Sequence, residues 1–265
     1  MVRFLIISLV SFLLVSCNNK FNKVLKSKDF DYKYNMAEQY YKEKKYDKAQ
    51  ILFEELFPYV KGSARYEDMY YKFAYSYYYE KEYPNAENLF KTFVEQFPNS
   101  AKAEECDYMR AYCFYKQSPR VELDQTNTQR AAALMQAFIN THPTSPRVKE
   151  AYQIIESCRE KLELKEFRGA ELYYNLGFFK AAAIAFSSIY ENYPDSKRAD
   201  EYKLLAIRSY FRYAQMSYEE KQAERFEKVV NECDEFSDRF SDSKFLEEVN
   251  KIKANSNQFF KKDKK

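Results

Sequence analysis

Active sites are built mostly from histidine, cysteine and paired carboxylates, with glycine where a backbone must cradle phosphate. This 265-residue sequence holds one His, five Cys and three Gly. His142 precedes Pro143 in a slot that Phe97 and Tyr193 fill elsewhere in the chain, which marks a structural aromatic position. No GxSxG, GxxxxGK(S/T) or HExxH pattern occurs, so neither a nucleophile elbow, a phosphate loop nor a zinc helix is expected. Cys106 and Cys113 lie seven apart on one predicted helix, so about 10 Å separates their Cα atoms. That is beyond disulfide reach. With no CxxC and no neighbouring His, zinc is not expected either; these two, like Cys158 and Cys233, read as small buried hydrophobes. The expectation is a non-enzyme with no catalytic residues, no metal and no cofactor.

The remaining thiol, Cys17, has a different context. Arg3 is followed by an apolar run from Phe4 to Val15, then Ser16 and Cys17. A basic start, a short apolar core and small residues before a break describe an export signal, too short to span a bilayer. Leu14-Val15-Ser16-Cys17 resembles the bacterial lipobox, which implies cleavage before Cys17 and acylation of its sulfur. Acyl chains would anchor the mature protein, since each buried CH₂ adds roughly 0.8 kcal/mol. Asn18 at the next position implies the outer membrane.

The chain repeats itself. Tyr34, Ala37, Tyr41, Tyr46, Ala49 and Phe53 match Tyr71, Ala74, Tyr78, Tyr83, Ala86 and Phe90 at an offset of 37. Segments ending in Ser63, Ser100, Ser145, Ser196 and Ser243 punctuate five units, the later ones longer. Alanines at 37, 74, 111, 170 and 206, and at 49, 86, 131 and 182, sit where paired helices must approach closely. Phe53, Phe90, Met135 and Phe186 fill the space between hairpins. Pro98, Pro143 and Pro194 end second helices because proline cannot continue the hydrogen-bond ladder. The pattern resembles the tetratricopeptide repeat, so the expected fold is all-α, an α-solenoid of five helix hairpins. Helices are predicted at 30–44, 46–59, 64–82, 84–97, 101–116, 126–141, 147–178, 179–192, 197–216, 219–239 and 243–258. The expected organisation is a signal peptide (1–16), a lipidated N-terminus and tether (17–29), repeats one to three (30–145), repeats four and five with a terminal helix (146–258) and a basic tail (259–265).

Tyrosine is the one residue type whose placement suggests recognition. The first helix of each unit faces inward in such a superhelix, and its inward slots in units one to three hold tyrosine in eight of nine cases. Tyr34, Tyr41, Tyr71, Tyr75, Tyr78, Tyr108, Tyr112 and Tyr115 occupy them, with Tyr79 alongside. Tyrosine is abundant here, 26 residues, and some rings must pack against neighbours. The concentration nevertheless points to a peptide-binding groove, because rigid amphipathic rings recognise partners at low entropic cost. Lys and Arg number 43 against 40 Asp and Glu, a net charge of +3. That is too even for a nucleic-acid partner. The lysine-rich end, Lys251 to Lys265, is the single charge outlier and reads as a solvated terminus or a contact to anionic lipid.

The lipobox, the five repeats and the insertion from Gln117-Ser118-Pro119 to Asp124-Gln125 form one ordered set. With Phe138-Ile139-Asn140-Thr141-His142-Pro143-Thr144-Ser145-Pro146-Arg147 and Phe179 to Ser196, the set resembles the BamD family, the tetratricopeptide-repeat lipoproteins of the β-barrel assembly machinery. The likeness covers about residues 14–240. It departs at Phe167-Arg168-Gly169-Ala170-Glu171-Leu172-Tyr173-Tyr174, where relatives read more small and basic residues. The resemblance implies a periplasm-facing lipoprotein of the outer membrane that scaffolds the assembly complex. It also implies binding of carboxy-terminal signals of unfolded barrel proteins by the amino-terminal repeats. The carboxy-terminal repeats would dock the periplasmic domains of the central barrel subunit. The alternatives are an envelope lipoprotein coordinating cell-wall or polysaccharide processes, or a glycan binder.

Overall fold

A computed structural model of the chain describes residues 20–260. The signal peptide, Cys17 and the last five residues of the basic tail lie outside the described residues. After a helical segment at 20–25, the helices of the described residues follow in order: α1 (Phe30–Lys42), α2 (Tyr46–Val60), α3 (Arg65–Tyr79), α4 (Tyr83–Gln96), α5 (Ala103–Lys116) and α6 (Thr126–Thr141). Then come α7 (Val148–Asn175), α8 (Phe179–Asn192), α9 (Ala199–Gln215), α10 (Glu219–Arg239) and α11 (Leu246–Phe260). No strand occurs among the described residues. Hairpins one, two, three and five are the pairs α1/α2, α3/α4, α5/α6 and α9/α10; hairpin four joins the end of α7 to α8.

The alanines that set the pairing are sealed. Ala37, Ala74, Ala111, Ala170 and Ala206 are buried, as are Ala49, Ala86, Ala131 and Ala182, with Phe53, Phe90, Met135 and Phe186 beside them. A methyl group is all that fits where two axes cross this closely. The turn inside hairpins one, two and four has one geometry. Lys44, Lys81 and Gly177, each seven residues past the alanine, adopt φ of 58°, 63° and 80°. The next N–H, from Lys45, Glu82 or Phe178, reaches back to the carbonyl of Tyr40, Tyr77 or Tyr173 at 2.9 Å. This left-handed cap satisfies the orphan carbonyls of the first helix.

The hairpins are clasped by serine. Oγ of Ser100, Ser145, Ser196 and Ser243 accepts the N–H two residues on, capping the next helix start. The same hydroxyls donate to Glu67, Glu104, Glu163 and Asp200 in the first helix of the preceding unit, at 2.5–2.7 Å. Ser63 donates instead to the carbonyl of Val60. The 117–125 insertion is pinned by Gln125, whose amide donates to the carbonyls of Arg120 and Leu123 and whose Oε1 accepts from Thr128.

Two compact units result, residues 1–158 and 159–265. The division falls inside α7, thirteen residues after the 145/146 boundary expected from the repeats. Its physical reason is that Ala151, Ile154 and Cys158 of α7 complete the core of hairpins two and three. In unit 1, a second cluster joins hairpin one to Met69 and Phe73 of α3. It also takes in Phe21 and Val24, which corrects the reading of 17–29 as a tether. Residues 20–25 are helical, and Phe21, Val24 and Leu25 present one apolar stripe that packs on hairpin one. In unit 2, Ala170, Phe186, Ile189 and Tyr202 form one cluster, and Leu204, Ile207, Val229, Phe236, Val249 and Ile252 form the other. Cys106, Cys113, Cys158 and Cys233 are all buried among the other small hydrophobes of the core.

Candidate functional site

Unit 1 gathers the tyrosines into a ladder at the C-terminal ends of α1, α3 and α5. Tyr41 meets Tyr46 edge-on at 5.5 Å, and Tyr46 stacks on Tyr79 at 4.6 Å. Tyr79 contacts Tyr75 and Tyr78. Tyr78 reaches Tyr83 and, across to the third hairpin, Tyr112 at 6.3 Å. Tyr112 continues to Tyr108 and Tyr115. Tyr71 joins at Tyr75, 4.7 Å away. Tyr34 stands apart, under the Arg65 guanidinium at 4.8 Å.

The nine candidate rings are not equivalent. Tyr75 and Tyr108 are 7% and 1% exposed, so they belong to the packed core and not to an open surface. This corrects the expectation that Tyr75 presents its ring to a ligand. The reason is Glu105, on the next hairpin. Its carboxylate accepts from Tyr71 through Oε2 and from Tyr75 through Oε1, both at 2.8 Å, and from Arg147 at 3.0 Å. Burial first, then the hydrogen bond to Glu105, pushes the Tyr71 hydroxyl upward, and burial does the same for Tyr41 and Tyr108. Burial pushes Tyr78 up to about 12. These phenols stay protonated and act as donors at any physiological pH. Tyr79 is 46% exposed, while Tyr34, Tyr41, Tyr71, Tyr78, Tyr112 and Tyr115 keep part of their surface open.

Cations rim this face. Lys102 sits over Tyr71 at 4.7 Å, Lys116 over Tyr112 at 5.4 Å and Arg147 over Tyr108 at 4.8 Å. Ion pairs step from hairpin to hairpin along the first helices: Arg65 with Asp31, Lys102 with Asp68, Arg147 with Glu105. Sequence reasoning missed Tyr46 and Tyr83, which open the second helices, and missed Glu105. The signal was present: Asp31, Asp68 and Glu105 each stand six residues before the tight-packing alanine. His142 bridges toward Asp107 at 3.5 Å and packs on Phe138, a capping position as expected. The arrangement offers aromatic faces, phenolic donors and positive charge. Among the described residues no group of three His, Cys, Asp or Glu could hold a metal.

A family model described as YfiO, outer membrane lipoprotein, matches residues 27–228, most of the chain. The chain belongs to this family. It is a BamD-type lipoprotein of the outer membrane, facing the periplasm, a non-enzymatic repeat scaffold of the barrel-assembly complex with interactions of that complex's type. No curated protein matches it. Among solved structures, the TPR2AB-domain:pHSP90 complex of yeast Sti1 aligns at 13% identity and a TM-score of 0.38, over 86% of this chain and 98% of that one. At that score the likeness carries nothing further.

Proposed function

We propose that the tyrosine ladder of unit 1 receives the aromatic-ended, carboxy-terminal segment of unfolded barrel proteins. The carboxy-terminal repeats, in this reading, dock the central barrel subunit through its periplasmic domains. The observation that supports the reading is the chain of part-exposed rings from Tyr41 to Tyr115 edged by Lys102, Lys116 and Arg147. An extended peptide can stack side chains on such rings, bond its backbone to phenols and set a terminal carboxylate among the cations. Cys17 is the proposed lipid attachment that keeps the scaffold at the membrane.

The test is titration of a labelled peptide with a terminal aromatic residue and free carboxylate against wild type, Tyr79→Ala, Tyr112→Ala and the distal Tyr210→Ala. Removing a central interfacial ring costs about 2 kcal/mol, roughly thirtyfold in Kd. Tyr210→Ala should bind as wild type, and amidating the peptide should weaken it. Equal affinity across all four proteins refutes the assignment.

A further inference from the structure

Hairpins four and five enclose a cavity of about 280 Å³ between α8, α9 and α10, and all the residues that line it belong to unit 2. Its charge is lopsided. Lys180 enters from α8, and Lys221, Arg225 and Lys228 enter from α10, against a single acid, Glu224. The three α10 cations stand at i, i+4 and i+7, so one face of that helix delivers them all. Tyr210 and Tyr213 of α9 complete the lining.

Neutral groups hold these cations in place. The Arg225 guanidinium lies over the Tyr213 ring at 4.1 Å and donates through Nη1 to Ser217 Oγ. Ser217 donates to the carbonyl of Tyr213, and Gln222 donates to the carbonyl of Ser217, which ties the turn between α9 and α10 to the site. Lys228 lies over Tyr210 at 5.7 Å. A ring face positions a charge without neutralising it.

Little carboxylate remains to balance them. Lys228 pairs with Glu232, but that carboxylate also takes Lys203, at 2.6 Å. Lys221 reaches Glu224 at 3.3 Å with both side chains largely exposed, a pair of small worth. Among the described residues, neither Arg225 nor Lys180 has a carboxylate in ion-pair reach. Lys180 also departs from the repeat. It stands in the first turn of α8, which holds no acid and where the helix dipole is already positive. Its counterparts two residues before Ala49, Ala86 and Ala131 are Asp47, Pro84 and Gln129. Four cations around so small a volume repel one another, and an anion seated among them relieves that repulsion.

We propose that this cavity binds a phosphate group, carried by a small soluble phosphate ester or by a phospholipid headgroup. A carboxylate is matched by one arginine fork. A phosphate offers more charge and three acceptor oxygens, which the Arg225 fork and the surrounding ammonium groups can share. The volume lies at the small end of ligand sites, which suits a headgroup-sized ligand and excludes a partner helix.

The test is calorimetric titration of the full-length lipidated protein in detergent, at fixed ionic strength. The probes are inorganic phosphate, glycerol 3-phosphate and the short-chain lipid dihexanoylphosphatidylglycerol. Saturable binding is expected. Lys180→Glu should weaken it about tenfold or more while leaving the circular dichroism unchanged, because Lys180 is exposed. Arg225→Gln should weaken it as much, with Arg225→Lys keeping part of the affinity. Lys149→Glu makes the same charge change on an exposed residue of α7 and should bind as wild type. Tighter binding of the short-chain lipid than of glycerol 3-phosphate supports the proposal with a headgroup as the source; the reverse order supports it with a soluble ester. Failure of every phosphate probe to saturate, undiminished binding by Lys180→Glu, or an equal loss in Lys149→Glu overturns it. Displacement of phosphate by an equal concentration of acetate or of a hexaglutamate peptide also overturns it, by making the cavity a carboxylate site.

Discussion

Glu105→Ala tests the packing of the tyrosine ladder most directly. Three donors converge on this carboxylate: the hydroxyls of Tyr71 and Tyr75 and the guanidinium of Arg147. Tyr75 is buried, so water cannot replace its acceptor, and an unsatisfied buried hydroxyl costs about 1–3 kcal/mol. Tyr71 is half-buried and recovers part of its bond from solvent, leaving about 0.5–1 kcal/mol lost. Arg147 and Glu105 are each about one-third exposed, which limits their ion pair to ~0.5–1 kcal/mol. The sum is about 2–5 kcal/mol. At about 2–4 °C per kcal/mol for a chain of this size, the melting point should fall by roughly 4–20 °C. Denaturant titration followed by circular dichroism measures it, with Glu95→Ala as an exposed control expected within about 0.5 kcal/mol of wild type. The sharper readout is a double-mutant cycle with Tyr75→Phe. Once Glu105 is gone the hydroxyl is a liability, so the two losses should fall short of additivity by about 1 kcal/mol or more. A Glu105→Ala protein as stable as the Glu95→Ala control, or strict additivity in the cycle, would refute the reasoning.

Three further outcomes are expected. Ser145→Ala removes both a helix-start acceptor and the donor to Glu104, so it should destabilise by about 1–2 kcal/mol; Ser63→Ala, which breaks no bond between units, should cost less in the same denaturant titration. Stability should hold through neutral pH and fall in alkali. Burial pushes the Cys113 and Cys233 thiols up to about 12 from 9.0 and Tyr78 up to about 12 from 10.0. A raised folded pKa stabilises below the unfolded value and is lost as pH climbs through the window, here from about 9 to 12. Tyrosinate absorbance should therefore rise in two phases, the second coincident with loss of helicity; one smooth phase near pH 10 would contradict it. Cys17→Ala should block acylation, and the protein lacking residues 1–17 should leave the membrane fraction, since no described helix is long and apolar enough to cross a membrane. Retention of the stripped form in high salt would count against the lipid anchor.

The periodicity of alanine, tyrosine and proline was enough to place every helix named above to within a few residues. That legibility has a cause. A solenoid is stabilised by contacts between neighbouring units, so each unit must restate the packing rule locally, with a methyl at each crossing and an aromatic between hairpins. The serine clasp was half legible, since Ser100, Ser145 and Ser196 recur after proline. Their acid partners, 33 or more residues upstream, only become partners once the first helices lie side by side.

Burial was not legible. Tyr75 and Tyr79 are both tyrosines on one helix, four residues apart; one is sealed and the other open because Glu105 and Phe90 arrive from elsewhere in the chain. The sequence by itself determined the fold class and the repeat register, because these depend on residue type and local spacing. Tertiary structure alone decided which rings face solvent and that Phe21 and Val24 cap the first hairpin. Those outcomes are set by whether a distant helix occupies the space beside a side chain, and local spacing does not encode that.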